Sequence, residues 1–174
     1  KKGIAIVAIT KKGIEIAKRI HDTLSESQIY VPEKFRESDS SIIYFSDSVM
    51  NRIGPLFQGY TSIICIFSLG AVIRLISPHL KDKKNDPAVI VIDDTAKFVI
   101  STLSGHLGGA NELTLKVSSI LNSIPVITTA ADVNKTIAID LLGKKFDWVI
   151  DNFENVTKVS ALMVNEEKIG VYQD

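Results

Sequence analysis

The sequence is poor in the residues that cross-link or anchor a protein. It has one cysteine, one tryptophan and two methionines among 174 residues. A single cysteine cannot form an intrachain disulfide, which favours a reducing, cytoplasmic location. Because Cys65 lies within an apolar run, we expect a buried structural thiol and not a nucleophile. No apolar run is long enough to span a bilayer and no signal peptide is recognisable, so a membrane protein is not expected.

The chain also lacks an excess of charge of either sign. Twenty basic residues balance twenty acidic ones, so no global field favours nucleic acid or an anionic membrane. The GxxxxGKS/T phosphate loop, the GxGxxG fingerprint and the GxSxG nucleophile elbow are missing. No paired spacing of cysteine or histidine suggests a metal site. Any ligand must therefore be held by local groups, and no protein-bound metal is expected.

Short apolar runs alternate with amphipathic segments, which predicts an α/β fold. The predicted strands and helices run, in order, over residues 3–10, 11–24, 41–46, 47–60, 62–68 and 70–80. Two β-rich runs, 88–93 and 98–103, are then separated by only four residues, a connection that suits antiparallel strands. A helix over 110–122 and a strand over 124–129 follow. We therefore predict a mixed, mostly parallel sheet flanked by helices, with one antiparallel hairpin.

The character of the sequence changes after Asp132. We predict an N-terminal α/β domain over residues 1–132, and over 133–174 the start of a further region or linker with a small α/β segment. That segment is expected to contain a helix over 156–164 and a short strand over 168–172. About forty residues cannot build a good core alone. The segment therefore either packs on the first domain or belongs to a larger unit.

The turn over residues 104–112 is the most unusual segment, since three of the ten glycines fall within five residues. Glycine accepts positive φ and lets a ligand approach the backbone. Unpaired N–H groups at the start of the following helix can bind an anion. Histidine is the side chain that titrates near neutral pH, which makes His106 a candidate for proton transfer. Alternatively, the glycines only shape a tight turn and Glu112 only complements the helix dipole.

Small or polar residues also follow other predicted strands, at Gly70, Thr128 and Thr129. In open α/β sheets, ligands collect at the carboxyl ends of the strands. We therefore expect these residues to converge with the 104–112 turn at one edge of the sheet.

Charged residues near these turns have two explanations. Arg74 is predicted in the first turn of a helix beginning at Gly70, where a cation is disfavoured. It either pairs with a bound carboxylate or is an ordinary surface arginine. Asp82, Lys83 and Asp86 are expected to be solvated loop charges.

Several stretches together resemble one family. In their order they resemble the N-terminal domain of the CbiG proteins, the cobalt-precorrin-5A hydrolases of cobalamin biosynthesis, and then that family's central region. The stretches are residues 70–74, 77–78, 82–89, 103–113, 125–130, 140–142 and 154–161. The resemblance covers nearly the whole chain, and we find no match to the further C-terminal domain that family members usually carry.

The resemblance implies hydrolysis of the δ-lactone of cobalt-precorrin-5A to cobalt-precorrin-5B, with release of acetaldehyde. This reaction belongs to the anaerobic route to vitamin B12. Because cobalt would arrive inside the substrate, no separate cofactor is expected. Cobalt-precorrin-5A is the expected partner, together with other enzymes of the corrin pathway.

For that reaction, position and chemistry assign roles within the turn. We predict His106 as general base, the N–H groups of Gly108 and Gly109 as oxyanion donors, and Glu112 as a group that orients His106 or transfers a second proton. The predicted substrate-binding residues are Ser104, Gly105, Gly108, Gly109, Asn111, Gly70, Arg74, Thr128 and Thr129.

A second hypothesis is a non-catalytic corrinoid-binding module that presents the substrate to another domain or enzyme. The glycine turn would then hold a carboxylate, and His106 would be an axial ligand to cobalt. A nucleotide-binding domain is a third and weaker possibility, because no phosphate-loop or ribose-binding pattern accompanies the glycines.

Overall fold

The computed structural model describes residues 1–82, 84–130, 139, 150–170 and 172. The chain divides into two compact units, Lys1–Val126 and Ile127–Asp174. The domain boundary predicted after residue 132 stays a prediction, and residues 131–138 lie outside the described part. No helix among the described residues has the length and hydropathy needed to cross a bilayer.

The first unit alternates strands and helices as the sequence predicts. Its strands are β1 Lys2–Ala8, β2 Ser27–Pro32, β3 Ile42–Phe45, β4 Tyr60–Ile66, β5 Ala88–Ile92, β6 Phe98–Leu103 and β7 Ile124–Val126. Its helices are α1 Lys11–Thr23, α2 Val49–Gly59, α3 Leu69–Ile76 and α4 Ala110–Leu121. Single 3₁₀ turns occur at Glu33–Phe35 and Ser77–His79.

The strands form one seven-stranded sheet in the order β3-β2-β1-β4-β5-β6-β7. Neighbouring strands from β3 to β5 are parallel, β6 is antiparallel to β5, and β7 is parallel to β6. The predicted mixed sheet and antiparallel hairpin are therefore confirmed. Because β6 is reversed, its last residue, Leu103, pairs with Val89 at the start of β5. The turn after β6 thus lies at the edge where the parallel strands begin.

The sheet is covered on both faces by helices. Along the central strands alternate residues point to opposite faces, which places Ile6, Ile64 and Ile90 in one core cluster with the buried residues of α1 and α4. Ala5 and Val89 belong to the second cluster, with the buried residues of α2 and α3. Burial on both faces explains why these strands read as unbroken apolar runs.

One strand of this unit is absent from the sequence predictions. The strand β2 was not predicted, because its apolar run, Ile29–Val31, is short and is flanked by polar residues. Ser48 caps α2 by accepting a hydrogen bond from the Asn51 N–H at 3.2 Å. The helix continues through Pro55 to Gly59.

The second unit contains α5, Phe153–Val164, which begins three residues before the predicted helix. The Asn152 side chain caps it, accepting from the N–H groups of Glu154 at 3.1 Å and Asn155 at 3.4 Å. The strand predicted over 168–172 is wrong for its described residues, since residues 168–170 and 172 have no strand geometry. In the first unit, β7 ends at Val126 and not at Thr129.

Candidate functional site

The turn between β6 and α4 has an unusual backbone at both ends. Ser104 adopts φ 57° and Gly109 adopts φ 85°, both in the left-handed region. This region is disfavoured for residues with a side chain and costs on the order of 1–3 kcal/mol at a non-glycine position. Strain of this kind clusters at functional sites, so Ser104 marks the turn as a candidate.

Three internal hydrogen bonds close the turn. The Gly109 N–H donates to the His106 carbonyl at 3.0 Å. The first two N–H groups of α4 also donate backwards, from Ala110 to the Ser104 carbonyl at 3.1 Å and from Asn111 to the Gly105 carbonyl at 3.0 Å. The turn is therefore held together by the amides that a helix start usually leaves unpaired.

This arrangement corrects the prediction that the helix start offers its N–H groups to an anion. The predicted oxyanion role of Gly109 conflicts with its bond to His106, because that N–H already has an acceptor. Within the described part of the chain, the N–H groups of Gly108 and Glu112 donate no hydrogen bond. Of the two predicted donors, Gly108 alone still has an available amide.

Two of the glycines are required by close packing. A Cβ added to Gly108 would lie 2.7 Å from the Ser104 carbonyl oxygen and closer still to the Ser104 Cβ. A Cβ on Gly105 would lie 2.7 Å from Oδ1 of Asn111. Both distances are shorter than real Cβ contacts. The glycines thus shape the turn, in agreement with the prediction that they form a tight turn.

Asn111 fixes the turn to the sheet. Its side chain is buried, with 6% exposure, and its Oδ1 accepts a hydrogen bond from Ser101 Oγ on β6 at 2.6 Å. A buried amide that is bonded in this way positions the turn. Its prediction as a substrate-binding residue stays a prediction.

Ser104 connects the turn to the loop before β5. Its Oγ donates to the Asp86 backbone carbonyl at 3.2 Å. The Asp86 carboxylate accepts the Lys81 N–H with both oxygens, at 3.0 and 3.2 Å, and the residue is only 8% exposed. The expectation that Asp86 is a solvated loop charge is therefore wrong, because it closes this loop from within.

Asp82 organises the same loop from the outside, consistent with a loop charge. Its carboxylate accepts the N–H groups of Lys84 at 2.8 Å and Asn85 at 3.0 Å, and the Asn85 side-chain amide at 2.8 Å. The Asn85 side chain, followed by these backbone donors, holds the pKa of Asp82 below its usual value. Lys83 lies outside the described residues.

His106 and Glu112 lie in this turn and in the first turn of α4, respectively. His106 is half-buried and Glu112 is exposed. The described contacts of Glu112 include neither a hydrogen bond nor an ion pair with His106. The structure therefore gives no support to Glu112 as the group that orients His106, while its place at the helix start complements the dipole.

Gly70 lies at the other end of the sheet from the glycine turn. It follows β4, which runs antiparallel to β6, so the two turns lie at opposite edges. The predicted convergence is therefore wrong for Gly70. Arg74 is exposed and lies in the last turn of the eight-residue α3, where a cation is favoured, so its placement needs no bound carboxylate.

Thr128 and Thr129 belong to the second unit, in the segment after β7. Thr128 is exposed and Thr129 is half-buried. Their predicted part in substrate binding stays a prediction. Among the described residues, no group of three or more His, Cys, Asp or Glu side chains could hold a metal ion.

Comparison with known families shows which family this chain belongs to. Residues 51–132 match the family described as cobalamin synthesis G N-terminal, and residues 137–174 match the family described as cobalamin biosynthesis central region. The chain belongs to the CbiG family. Its glycine turn, 104–112, lies within the N-terminal match.

Two relatives of the CbiG family are similar over almost the whole chain. A cobalt-precorrin-5A hydrolase of Priestia megaterium is 54% identical over 173 residues, which cover 98% of this chain and 46% of the relative. One of Salmonella typhimurium is 36% identical over 174 residues, 99% of this chain and 49% of the relative. The chain thus spans about half the length of these relatives.

A crystal structure is also similar. It is that of a cobalamin biosynthesis protein G homolog from Sulfolobus solfataricus, with a TM-score of 0.54 and 25% identity. The match covers 99% of this chain and 50% of the homolog.

Two functional candidates of this CbiG fold were not found from the sequence. Ser101 and Asp86 hold the glycine turn through Asn111 and Ser104. The position of Asp86 directly before Pro87 and a buried strand was an available signal, because a carboxylate at a strand entrance can accept the loop's N–H groups. Ser101 gave no comparable signal, since a serine inside a strand has no preferred partner.

Proposed function

We propose that this chain supplies the substrate-binding and hydrolytic turn of a cobalt-precorrin-5A hydrolase. The observation that carries the proposal is the closed turn over 104–109 of a CbiG chain, which contains His106 and leaves the Gly108 amide without an acceptor among the described residues. The reaction would open the δ-lactone of cobalt-precorrin-5A in anaerobic cobalamin biosynthesis. Cobalt-precorrin-5B and acetaldehyde would be the products, and cobalt would be part of the substrate.

In this proposal His106 removes a proton from the attacking water, a role typically worth 10²–10⁴-fold in rate. The oxygen of the tetrahedral intermediate accepts a hydrogen bond from the Gly108 N–H, which can lower the barrier by roughly 2.7–4 kcal/mol. The Glu112 N–H, four residues after Gly108 and in the first turn of α4, is the second donor. The exposed Glu112 carboxylate takes up the proton of the hydroxyl that lactone opening frees. The C–C bond between the carbon that bore this hydroxyl and the macrocycle then breaks to release acetaldehyde, and the electron pair left on the macrocycle takes the proton from Glu112.

The test is an acetaldehyde assay on the chain incubated with cobalt-precorrin-5A. The wild-type chain is expected to release acetaldehyde, and His106→Ala is expected to lower the rate by about 10²–10⁴-fold. His21→Ala is the matched control, since His21 lies on α1, outside the turn. Its Nδ1 is 3.0 Å from the hydroxyl oxygen of Ser27 on β2. Equal rates in His106→Ala and His21→Ala would refute His106 as the base.

The second candidate function is a corrinoid-binding module. It is favoured by the hydrogen bonds that close the turn, because they engage the Gly109 N–H and leave Gly108 alone of the two predicted oxyanion donors with an available amide. A wild-type chain that binds cobalt-precorrin-5A and releases no acetaldehyde would support this function. A change in cobalt absorbance that is lost in His106→Ala would then identify His106 as an axial ligand.

A further inference from the structure

A cleft lies at the edge of the sheet where the parallel strands begin. Its volume is about 530 Å³, within the usual range of small-molecule sites. The end of α2, the turn after α3 and the loop before β5 contribute its walls. The residues that line it include Phe57, Gln58, His79, Lys81, Asn85 and Asp86.

The cleft adjoins the glycine turn through Asp86. This residue lines the cleft, and its backbone carbonyl accepts the Ser104 hydroxyl at 3.2 Å. The turn and the cleft therefore share one residue and one edge of the sheet. A ligand larger than the cleft can contact both.

The polar lining of the cleft suits an anion. Lys81 and Lys1 contribute ammonium groups, and the Lys1 Nζ also donates to the Asn85 carbonyl at 2.6 Å. Asp86 is the one carboxylate among the described lining residues, and both its oxygens accept the Lys81 N–H. One backbone N–H is therefore bonded to this carboxylate, and the two ammonium groups of the lining outnumber its single negative charge. Lys81 forms no ion pair with the described residues.

His79 and Phe57 form one wall of the cleft. The His79 ring packs on Gly54, where an added Cβ would lie 2.8 Å from Cε1. It also lies 6.1 Å from the Phe57 ring, between centroids. The glycine at position 54 thus leaves the space that this ring occupies. An imidazole carries at least one ring N–H, so the wall combines an apolar surface with a hydrogen-bond donor.

We propose that this cleft binds one carboxylate-bearing side chain of the macrocyclic substrate, with Lys81 and His79 as the recognising groups. The inference rests on the proposed function for the identity of the macrocycle. The glycine turn would act on the lactone while the cleft holds the side chain. Binding at a distance from the reacting bond can orient the substrate for reaction.

The test compares two corrinoids by absorbance titration, one with free peripheral carboxylates and one with the same groups as amides. The wild-type chain is expected to bind the carboxylate form more tightly. Lys81→Met is expected to raise the Kd of the carboxylate form about fivefold, the effect of one exposed ion pair. It should leave the Kd of the amide form unchanged. His79→Phe keeps a ring in the wall and is expected to raise the Kd about threefold.

The control is Lys12→Met, which removes an exposed lysine of α1 outside the cleft. The inference is overturned if the wild-type chain does not bind the carboxylate form or binds both forms equally. It is also overturned if Lys81→Met and Lys12→Met have the same Kd. These titrations require no turnover. A chain that discriminates the two forms but releases no acetaldehyde would contradict the hydrolytic function and leave the cleft assignment standing.

Discussion

The Ser101 hydroxyl donates a hydrogen bond to Oδ1 of Asn111 at 2.6 Å, joining β6 to the first turn of α4. Asn111 also donates its N–H to the Gly105 carbonyl at 3.0 Å. One residue thus links the strand, the glycine turn and the helix. The geometry around His106 depends on this link as well as on the glycines.

Asn111→Ala should destabilise the chain by about 1–3 kcal/mol, because it leaves polar groups in a partly buried site without their partner. Ser101→Ala should cost less, since serine loses only one hydroxyl. Urea unfolding of both single variants and the double variant would measure their coupling, expected at about 0.5 kcal/mol or more. Additive free energies would show that the bond contributes nothing.

Gly108→Ala should destabilise the chain by on the order of 1–3 kcal/mol, because the added methyl meets the Ser104 carbonyl and Cβ. Gly59→Ala is its control. A Cβ at Gly59, the last residue of α2, meets no atom within 4 Å. That substitution should leave stability unchanged or raise it by up to about 1 kcal/mol. Similar unfolding midpoints for the two variants would refute the packing argument.

Asp39 should contribute a stability that depends on pH. The Ser41 hydroxyl at 2.6 Å and then Lys18 at 2.9 Å lower the pKa of Asp39 to about 2. A lowered carboxyl pKa stabilises the fold above the unfolded value, about 3.9, and this stability is lost as pH falls towards 2. Asp39→Asn should therefore lower the free energy of unfolding at pH 7 by less than about 1 kcal/mol and have a much smaller effect near pH 2.

The control for Asp39 is Glu37→Gln. Glu37 contacts the same lysine at 3.5 Å, and its side chain is 66% exposed. Its substitution should change stability less than Asp39→Asn at neutral pH. Thermal unfolding of the three proteins between pH 2 and pH 7 would separate them, and a constant difference between Asp39→Asn and wild type would contradict the assignment.

Cys65 should be unreactive in the folded chain. Burial raises the pKa of its thiol to about 12, and the residue is fully buried in β4. The thiolate is the reactive form, so alkylation at pH 8 should be very slow until the chain unfolds. In concentrated guanidinium, one thiol per chain should react. Rapid labelling of the native chain would contradict the buried position.

The sheet was largely predictable because it is built from apolar runs that are buried on both faces. The antiparallel pairing of β5 and β6 followed from a connection of only four residues between 93 and 98. β2 was missed because its burial depends on β1 and β3, which pack beside it, and three apolar residues do not identify a strand alone.

The site was less predictable, because the positions of its residues depend on tertiary geometry. The four-residue connection predicts the hairpin, but the distance between Gly70 and the turn depends on the reversed direction of β6, which places Ser104 at the other edge of the sheet. The sequence predicts Arg74 in the first turn of a longer helix. Because α3 has only eight residues, Arg74 lies in its last turn. The bonds of the Gly109 and Asn111 amides depend on the left-handed backbone of Ser104, which sequence patterns do not reveal.

Because β6 and β7 run in the reverse direction, the loops at the two ends of the sheet can be redesigned separately. The connections after β1 and β4 lie at one edge of the sheet, and the His106 turn lies at the other. A designer could graft new loops after Ala8 or Ile66 without altering the backbone contacts that hold this turn. The fold therefore allows the loops at one end of the sheet to be diversified while the backbone of the turn at the other end is kept.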